Sequence, residues 1–276
     1  MRKTIGIIGY GNMGSAIAEK IRGKYELFVF DKDTSRLKQA TGVSVVGSIA
    51  EVVTSAEAVI IAVKPQDFDE VLGEVHPFSK GKIFISIAVG IKTTYIERKL
   101  GDARVIRAMP NLGAIVGRSV TCICRGRFTR QDDLALANDL FSHIGRVEEL
   151  PEDMMDIVTG VSGSGPGYYF DFVARRNNDY NQDKNKFMQE FIVSLTGAAR
   201  EAGLDANLSE LLAREICLAS DLTLVYTKLT AEELRKKVAS KGGTTEAGLE
   251  VLQRGGSLTE AVQAAVKRAK ELSKKE

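Results

Sequence analysis

The sequence contains no tryptophan, only two histidines and only three cysteines among its 276 residues. Cys122, Cys124 and Cys217 are an odd number, and the first two lie in the apolar run VTCIC, which indicates reduced thiols on a buried strand. No group of His and Cys side chains has the spacing of a metal site, so we expect no metal. Reduced thiols favour a reducing compartment, and we expect a cytoplasmic protein.

Neither sign of charge dominates the sequence, and long hydrophobic runs are absent. The 38 basic and 36 acidic residues give a net charge of +2, which provides no reason to expect nucleic acid or an anionic membrane as partner. No apolar run is long enough to span a bilayer, and the first residues do not have the pattern of a signal peptide. The composition is ordinary for a globular enzyme, and the length suits two domains.

The first 150 residues alternate short apolar runs with amphipathic helical patterns. Strand, helix and strand at this spacing predict an α/β domain with a mostly parallel sheet covered on both faces. The run AVIIAV is apolar throughout, as in a central strand buried on both sides. The predicted strands are 4–8, 27–30, 43–46, 58–63, 83–88, 103–108 and 119–124.

The pattern changes near residues 148–156. Strand-like runs disappear, and long helical periodicity follows at 207–229 and 258–274. We therefore predict a domain at 1–150 and an all-helical domain at 151–276. Apolar helices in so small a segment need more surface to cover them, which favours a homodimer.

The stretch at 174–190, ARRNNDYNQDKNKFMQE, is polar and lies between apolar runs. It predicts an exposed loop or the exposed face of a helix. A partner-binding insertion is the alternative.

Three glycines at 9, 11 and 14 follow the first predicted strand and open the first predicted helix. This context and spacing are those of a dinucleotide-binding turn. The first glycine permits the tight turn, the second lets the backbone approach the pyrophosphate, and the third lets helix and strand pack closely. The helix N-terminus then offers N–H groups and partial positive charge to the phosphates.

Asp31 ends the second predicted strand, 22 positions after Gly9. A carboxylate there can bind both ribose hydroxyls of NAD and repel the 2′-phosphate of NADP. Lys32 could instead attract the 2′-phosphate. The sequence therefore allows either NADH or NADPH as cofactor and favours NADH. Asp31 could instead cap the helix that starts near Thr34, where Asp33 competes for the cap.

A second cofactor segment is predicted at AVKPQ, after the fourth strand, because the carboxyl ends of strands form the ligand crevice of such sheets. Pro65 fixes the turn there, and Lys64 either faces phosphate or ribose or is an ordinary surface residue. The candidate cofactor residues from both segments are Gly9, Gly11, Asn12, Met13, Gly14, Asp31, Lys32, Ala62, Val63, Lys64 and Pro65.

The sequence resembles the pyrroline-5-carboxylate reductases nearly from end to end. The resemblance is carried by GYGNMGSAIA, AVKPQ, RAMPNLGAIVG, MDIVTGVSGSGPGYYF, AGL and SKGGTTEAGLEVL. It implies a Rossmann domain followed by a helical dimerisation domain in which two subunits interleave. It also implies hydride transfer from NAD(P)H to the cyclic imine of pyrroline-5-carboxylate, which gives L-proline.

The resemblance also implies roles for residues outside the glycine-rich turn. Thr245 becomes the candidate catalytic hydroxyl, hydrogen-bonded to the ring nitrogen, since a cyclic imine can arrive protonated and needs mainly orientation. The substrate carboxylate would sit on the N–H groups of Gly243, Thr244 and Thr245. Asn111 would contact the carboxamide of the nicotinamide or hold a turn. The facing wall would be Ser162, Gly163, Ser164 and Gly165, which could also simply begin a helix with Pro166 at its first position.

Two departures from the family pattern stand out. Lys241 replaces the usual proline before GGTT, which predicts a less rigid loop. The 35 residues between Pro166 and Ala202 exceed the family's usual spacing by roughly twenty, which bears on the dimer and the substrate pocket.

Rival functions are a β-hydroxyacid dehydrogenase, another imine reductase of the same architecture, or a non-catalytic NAD(H)-binding protein. The first needs a lysine early in the helix after the Rossmann domain, whereas Lys184 and Lys186 come late. Imine reductases of broad specificity usually lack the GGTT loop. A non-catalytic NAD(H)-binding protein would need no substrate loop, so both GSGP and GGTT would be unexplained.

Overall fold

The short apolar runs of the first half form the strands of one sheet. The structure, a computed structural model, describes residues 2–273. The strands are β1 Thr4–Ile8, β2 Glu26–Phe30, β3 Ser44–Val45, β4 Ala58–Ile61, β5 Ile83–Ser86, β6 Arg104–Met109, β7 Ser119–Arg125 and β8 Gly145–Glu149. The predicted α/β class with a mostly parallel sheet is confirmed, and β8 is an addition that the sequence reasoning did not predict.

The sheet order is β3-β2-β1-β4-β5-β6-β7-β8. The strands from β3 to β6 pair in parallel, whereas β6 and β7 are antiparallel. Strand β1 therefore lies between β2 and β4, where the direction of winding reverses. Ligand crevices form at the carboxyl ends of strands at this point, and the glycine-rich turn follows β1 directly.

Helices connect the strands and follow them. Those of the first half are α1 Asn12–Ile21, α2 Thr34–Leu37, α3 Ile49–Ser55, α4 Phe68–Val75, α5 Thr93–Leu100 and α6 Gln131–Ser142. Those of the second half are α7 Met155–Val158, α8 Gly165–Arg175, α9 Asn177–Gln182, α10 Lys184–Glu201, α11 Ala206–Thr227, α12 Ala231–Val238, α13 Thr244–Gln253 and α14 Leu258–Ser273.

The chain divides into two units. One comprises residues 2–109 and 121–152, and the other comprises 110–120 and 153–273. The first unit is built around the sheet, whose central strands β4 and β5 are fully buried. In the second unit, α14 packs on α13 and α10, and α10 packs on α11. Among residues 2–273, no helix combines the length and apolarity needed to cross a bilayer.

The polar stretch at 174–190 is helical. It contains the end of α8, all of α9 and the start of α10, and most of its side chains are exposed. The side chains of Tyr180 and Lys184 bind Asp221 of α11, at 2.7 and 2.6 Å. The exposed helix face is therefore the correct alternative, and the loop is not.

All three cysteines are buried and unpaired. Burial raises the pKa of each thiol to about 12, because the thiolate would lose its hydration. These thiols are therefore protonated and unreactive as nucleophiles near neutral pH.

Candidate functional site

The turn from β1 into α1 is shaped by its glycines. Gly9 has φ +99°, a left-handed conformation that favours glycine, and a Cβ there would lie 2.7 Å from the carbonyl oxygen of Ala62. A Cβ on Gly14 would lie 2.0 Å from the carbonyl oxygen of Gly9. Gly11 differs, because the nearest atom to its Cβ position is a guanidinium nitrogen of Arg36 at 3.8 Å. Gly9 and Gly14 are needed by the fold, whereas Gly11 leaves space for a ligand.

Helix α1 begins without a side-chain cap. Gly11 is the N-cap residue, and it has no side chain to offer. The first N–H groups of a helix have no acceptor within the helix. The start of α1 therefore offers N–H groups and the positive end of the helix dipole to an anion, as the pyrophosphate of a dinucleotide requires.

A cleft of about 1150 Å³ opens beside this turn. It is larger than the ~300–1,000 Å³ of common small-molecule sites. Its wall includes both predicted cofactor segments, namely Gly9, Gly11, Asn12, Met13, Asp31, Lys32, Ala62, Val63 and Lys64. Gly14 is buried behind the turn, and Pro65 begins a single 3-10 turn at Pro65–Asp67. The glycine cradle, the uncapped helix and the size of the cleft fit a dinucleotide.

Asp31 is 4% exposed, at the wall of this cleft. Its carboxylate accepts the N–H of Tyr10 at 2.7 Å and the N–H of Asp33 at 2.8 Å. Asp33, and not Asp31, caps α2 by accepting the N–H of Ser35. Asp31 thus fixes the glycine-rich turn, and its remaining lone pair is available to a ribose hydroxyl.

Two cations lie close to Asp31, and one of them was not predicted. Arg36 places a guanidinium nitrogen 3.3 Å from Asp31 and also pairs with Asp33 at 3.3 Å. Lys32 instead pairs with Asp67 at 2.6 Å, and the hydrogen bond and charge of Asp67 raise the pKa of Lys32. Arg36 follows Asp31 by five positions and lies in the single-turn helix α2.

The second unit brings GSGP and GGTT together. The hydroxyl of Thr245 donates to Ser164 Oγ at 3.1 Å, and the hydroxyl of Thr244 lies 3.1 Å from the same oxygen. Ser164 is fully buried and donates in turn to the carbonyl of Thr159 at 3.3 Å. The Ser164 hydroxyl therefore orients both threonine side chains at the start of α13.

A turn of π-helix precedes α8, at Thr159–Gly163. Such turns are rare and occur frequently at functional sites. Here it directs the N–H of Ser164 to the carbonyl of Thr159, at 3.1 Å. Ser164 precedes α8 but makes no side-chain cap to it, because its hydroxyl is used in the contacts with Thr159 and the threonines. Pro166 is the second residue of α8, one position later than the sequence predicted.

Asn111 also lies in the second unit. Its carboxamide oxygen accepts the N–H of Gly113 at 3.0 Å, and its nitrogen donates to Ser162 Oγ at 3.0 Å. Both ends of the carboxamide are therefore engaged. Asn111 therefore holds the turn at 111–113, and its contact with the nicotinamide stays a prediction.

Close packing surrounds the two loops. A Cβ on Gly167 would lie 2.5 Å from Thr245 Cγ2, and one on Gly165 would lie 2.9 Å from Ile216 Cγ2. The N–H of Gly243 donates to the carbonyl of Ser240, so it is already used. The N–H groups of Thr244 and Thr245 stand in the first turn of α13, where the helix supplies no acceptor. These two can bind a carboxylate.

These features define an oxidoreductase of the dinucleotide-binding class with a helical second unit. Two family models match the chain: "NADP oxidoreductase coenzyme F420-dependent" at residues 4–90, and "Pyrroline-5-carboxylate reductase dimerisation" at 186–275. The pyrroline-5-carboxylate reductase of Synechocystis sp. is 35% identical over 98% of both chains, and that of Mycobacterium tuberculosis is 34% identical over 97% of this chain and 96% of the relative. The chain belongs to the pyrroline-5-carboxylate reductase family.

Solved structures agree with this assignment. The pyrroline carboxylate reductase of Plasmodium falciparum, determined with NADP bound, matches with a TM-score of 0.64 at 26% identity over 98% of both chains. The pyrroline-5-carboxylate reductase of Coxiella burnetii gives 0.64 at 29% identity over 99% of this chain and all of that one. The chain is an NAD(P)H-dependent oxidoreductase, and it forms a homo-oligomer through its dimerisation domain.

Proposed function

We propose that this enzyme reduces 1-pyrroline-5-carboxylate to L-proline. The observation that carries the proposal is the meeting of Ser164 with Thr244 and Thr245 at the start of α13. Two hydroxyls and two N–H groups at a helix N-terminus match a ligand that has a ring nitrogen beside a carboxylate. The relatives over the full length carry the name of this reaction.

The chain's own groups have separate tasks in this reaction. The N–H groups of Thr244 and Thr245 bind the substrate carboxylate, and the Thr245 hydroxyl hydrogen-bonds the ring nitrogen. Ser164 holds that hydroxyl in place. A protonated imine needs no strong acid from the protein, so orientation of the substrate carbon is the main contribution.

The cofactor is bound by the first unit. The N–H groups at the start of α1 hold the pyrophosphate, Asp31 faces the adenosine ribose, and Lys64 lies exposed at the rim of the cleft. When bound, the dihydronicotinamide supplies the hydride. The buried thiols suit a reducing compartment, and we infer the cytoplasm as the location of the enzyme.

A substrate panel tests the proposal against its rivals. The purified enzyme is given NADH or NADPH with pyrroline-5-carboxylate or with other cyclic imines, and NAD⁺ or NADP⁺ with β-hydroxyacids. We expect turnover of pyrroline-5-carboxylate to exceed that of every imine without the carboxylate. Turnover of a β-hydroxyacid, with none of the imine, would refute the proposal.

We propose that Asp31 favours NADH over NADPH. Its carboxylate binds the ribose hydroxyls and repels a 2′-phosphate, and it also holds Arg36 in an ion pair. In Asp31→Ser, we expect the ratio of kcat/KM for NADH to that for NADPH to fall at least ~10-fold. The carboxylate that repels the phosphate is lost, and Arg36, then paired with Asp33 alone, gains a charge-assisted contact with the phosphate worth about 1.5–3 kcal/mol. Initial rates with the two cofactors measure this ratio.

The matched variant for cofactor preference is Asp67→Asn, which releases Lys32 from its ion pair. We expect this variant to leave the preference nearly unchanged. A shift in Asp67→Asn without one in Asp31→Ser would assign the preference to Lys32.

We propose that one face of α11 contacts the second copy of the chain. Leu218, Leu222, Val225 and Tyr226 follow a helical spacing and are 40–63% exposed. We expect Val225→Glu to weaken the dimer about 100-fold, because an unpaired buried carboxylate costs ~3 kcal/mol or more. Sedimentation over a range of concentrations measures this, and Gln263→Glu adds the same charge at an exposed position of α14 as control. An unchanged dimer in Val225→Glu would place the interface elsewhere.

A further inference from the structure

The loop before GGTT is a tight turn with an unusual second residue. The N–H of Gly243 donates to the carbonyl of Ser240 at 2.9 Å, which closes a four-residue turn at 240–243. Gly242, its third residue, has φ +69°, whereas Lys241, its second, is not among the residues of positive φ. This combination defines a type II turn. Proline is favoured at the second position of such a turn, because its ring fixes the required φ.

Lys241 cannot fix the turn in that way. A lysine leaves φ free, and the side chain of Lys241 is exposed. Instead, hydrogen bonds hold the N–H and the carbonyl of the next residue, Gly242. Glu246 accepts the N–H of Gly242 at 2.5 Å, and Arg268 Nε donates to the carbonyl of Gly242 at 2.8 Å.

The two residues that hold Gly242 come from different helices. Glu246 is in the first turn of α13, three residues after the N-cap Gly243, and Arg268 is in α14. The guanidinium of Arg268 is itself held by Glu271 at 3.1 Å. The turn is therefore fixed through both the N–H and the carbonyl of Gly242. It lies immediately before Thr244 and Thr245.

We propose that Arg268 and Glu246 are positioning residues for the substrate site. They hold Gly242 and thereby the direction in which α13 begins, which sets the two N–H groups and the Thr245 hydroxyl against Ser164. They take the place of the rigidity that a proline at 241 would give. The expected change in KM rests on the proposed function, whereas the expected change in the turn at 240–243 does not.

The test compares Arg268→Ala with the double variant Lys241→Pro/Arg268→Ala. In the single variant we expect KM for pyrroline-5-carboxylate to rise about 10-fold, since small misplacements of positioned groups are costly, with NADH affinity unchanged. We expect the double variant to recover most of this loss, because proline fixes φ at the second position of the turn. Lys267→Ala, at an exposed neighbour on α14, is the control and should behave as the wild type.

Amide hydrogen exchange of the peptide containing 240–246 is measured on the same variants. We expect exchange to quicken in Arg268→Ala and to slow again in the double variant, whether or not the enzyme turns over the imine. Thermal unfolding and circular dichroism verify that each variant is folded. If the wild type fails to reduce pyrroline-5-carboxylate, only the proposed function is refuted, and the exchange data still decide on the positioning role.

Two results would overturn the inference. Wild-type kinetics and exchange in Arg268→Ala would show that the turn needs no support from α14. Restored exchange in the double variant without any recovery of KM would show that the Arg268 guanidinium binds the substrate carboxylate directly.

Discussion

Thr245→Ala is expected to lower kcat/KM for pyrroline-5-carboxylate by about 10- to 100-fold. A hydrogen bond to a charged group contributes ~1.5–3 kcal/mol, and the ring nitrogen of a protonated imine is such a group. Thr245 is 5% exposed and its hydroxyl is already directed by Ser164, so no other group replaces it. Initial-rate measurements at saturating NADH give the value.

The matched variant for this prediction is Thr245→Ser, which keeps the hydroxyl and loses the methyl group. We expect it to retain most of the activity, with a modest loss because the methyl packs against Gly167. NADH affinity should be unchanged in both variants, since the cofactor cleft is lined by the first unit. An equal loss in the serine and alanine variants would mean that packing, and not the hydroxyl, sets the rate.

Gly14→Ala is expected to lower thermal stability, whereas Gly11→Ala is expected to weaken NADH binding. A methyl group on Gly14 would lie 2.0 Å from the carbonyl oxygen of Gly9, so α1 must move away from β1. Overpacking of this kind costs up to ~3 kcal/mol or more. We expect Tm to fall by about 6–12 °C, given ~2–4 °C per kcal/mol for a chain of this size.

A methyl group on Gly11 meets no atom closer than 3.8 Å, so we expect its Tm to be close to that of the wild type. It fills the space through which the pyrophosphate approaches the N–H groups of α1. We expect NADH binding to weaken about 10- to 100-fold, the loss of ~1.5–3 kcal/mol of charge-assisted hydrogen bonding. Calorimetry gives both the Tm and the dissociation constant. Normal binding in Gly11→Ala would contradict the assigned role of this glycine.

The central strands of the sheet were predictable, because burial on both faces requires apolar residues. Strands β4 and β5 are buried at every position, and the sequence of β4 is an unbroken apolar run. Strand β8 has the sequence GRVEE and is the edge strand of the sheet, so none of its residues is buried and it carries no such run. The start of α10 was equally hard to recognise, because its polar residues face water or bind Asp221.

The cofactor turn was predictable because its sequence signal is local: the three glycines, the strand before them and the helix after them lie within residues 4–21. The contacts of the second unit are not local. Asn111 and Ser162 are 51 residues apart, and Ser164 and Thr245 are 81 apart. No spacing in a single sequence encodes such pairs, so only the resemblance to a family suggested that GSGP and GGTT belong together. The hydrogen bond from Arg268 to Gly242 joins residues 26 positions apart, and neither the sequence pattern nor the family resemblance predicted it.

The most direct test of the central claim is the stoichiometry of the reaction. Purified wild-type enzyme is incubated with pyrroline-5-carboxylate and a limiting amount of NADH, and the loss of nicotinamide absorbance is compared with the L-proline formed. The account predicts one proline for each NADH consumed, with a faster reaction than with NADPH. Tight binding of NADH with no proline formed would contradict it, and the chain would then bind the cofactor without catalysing this reduction.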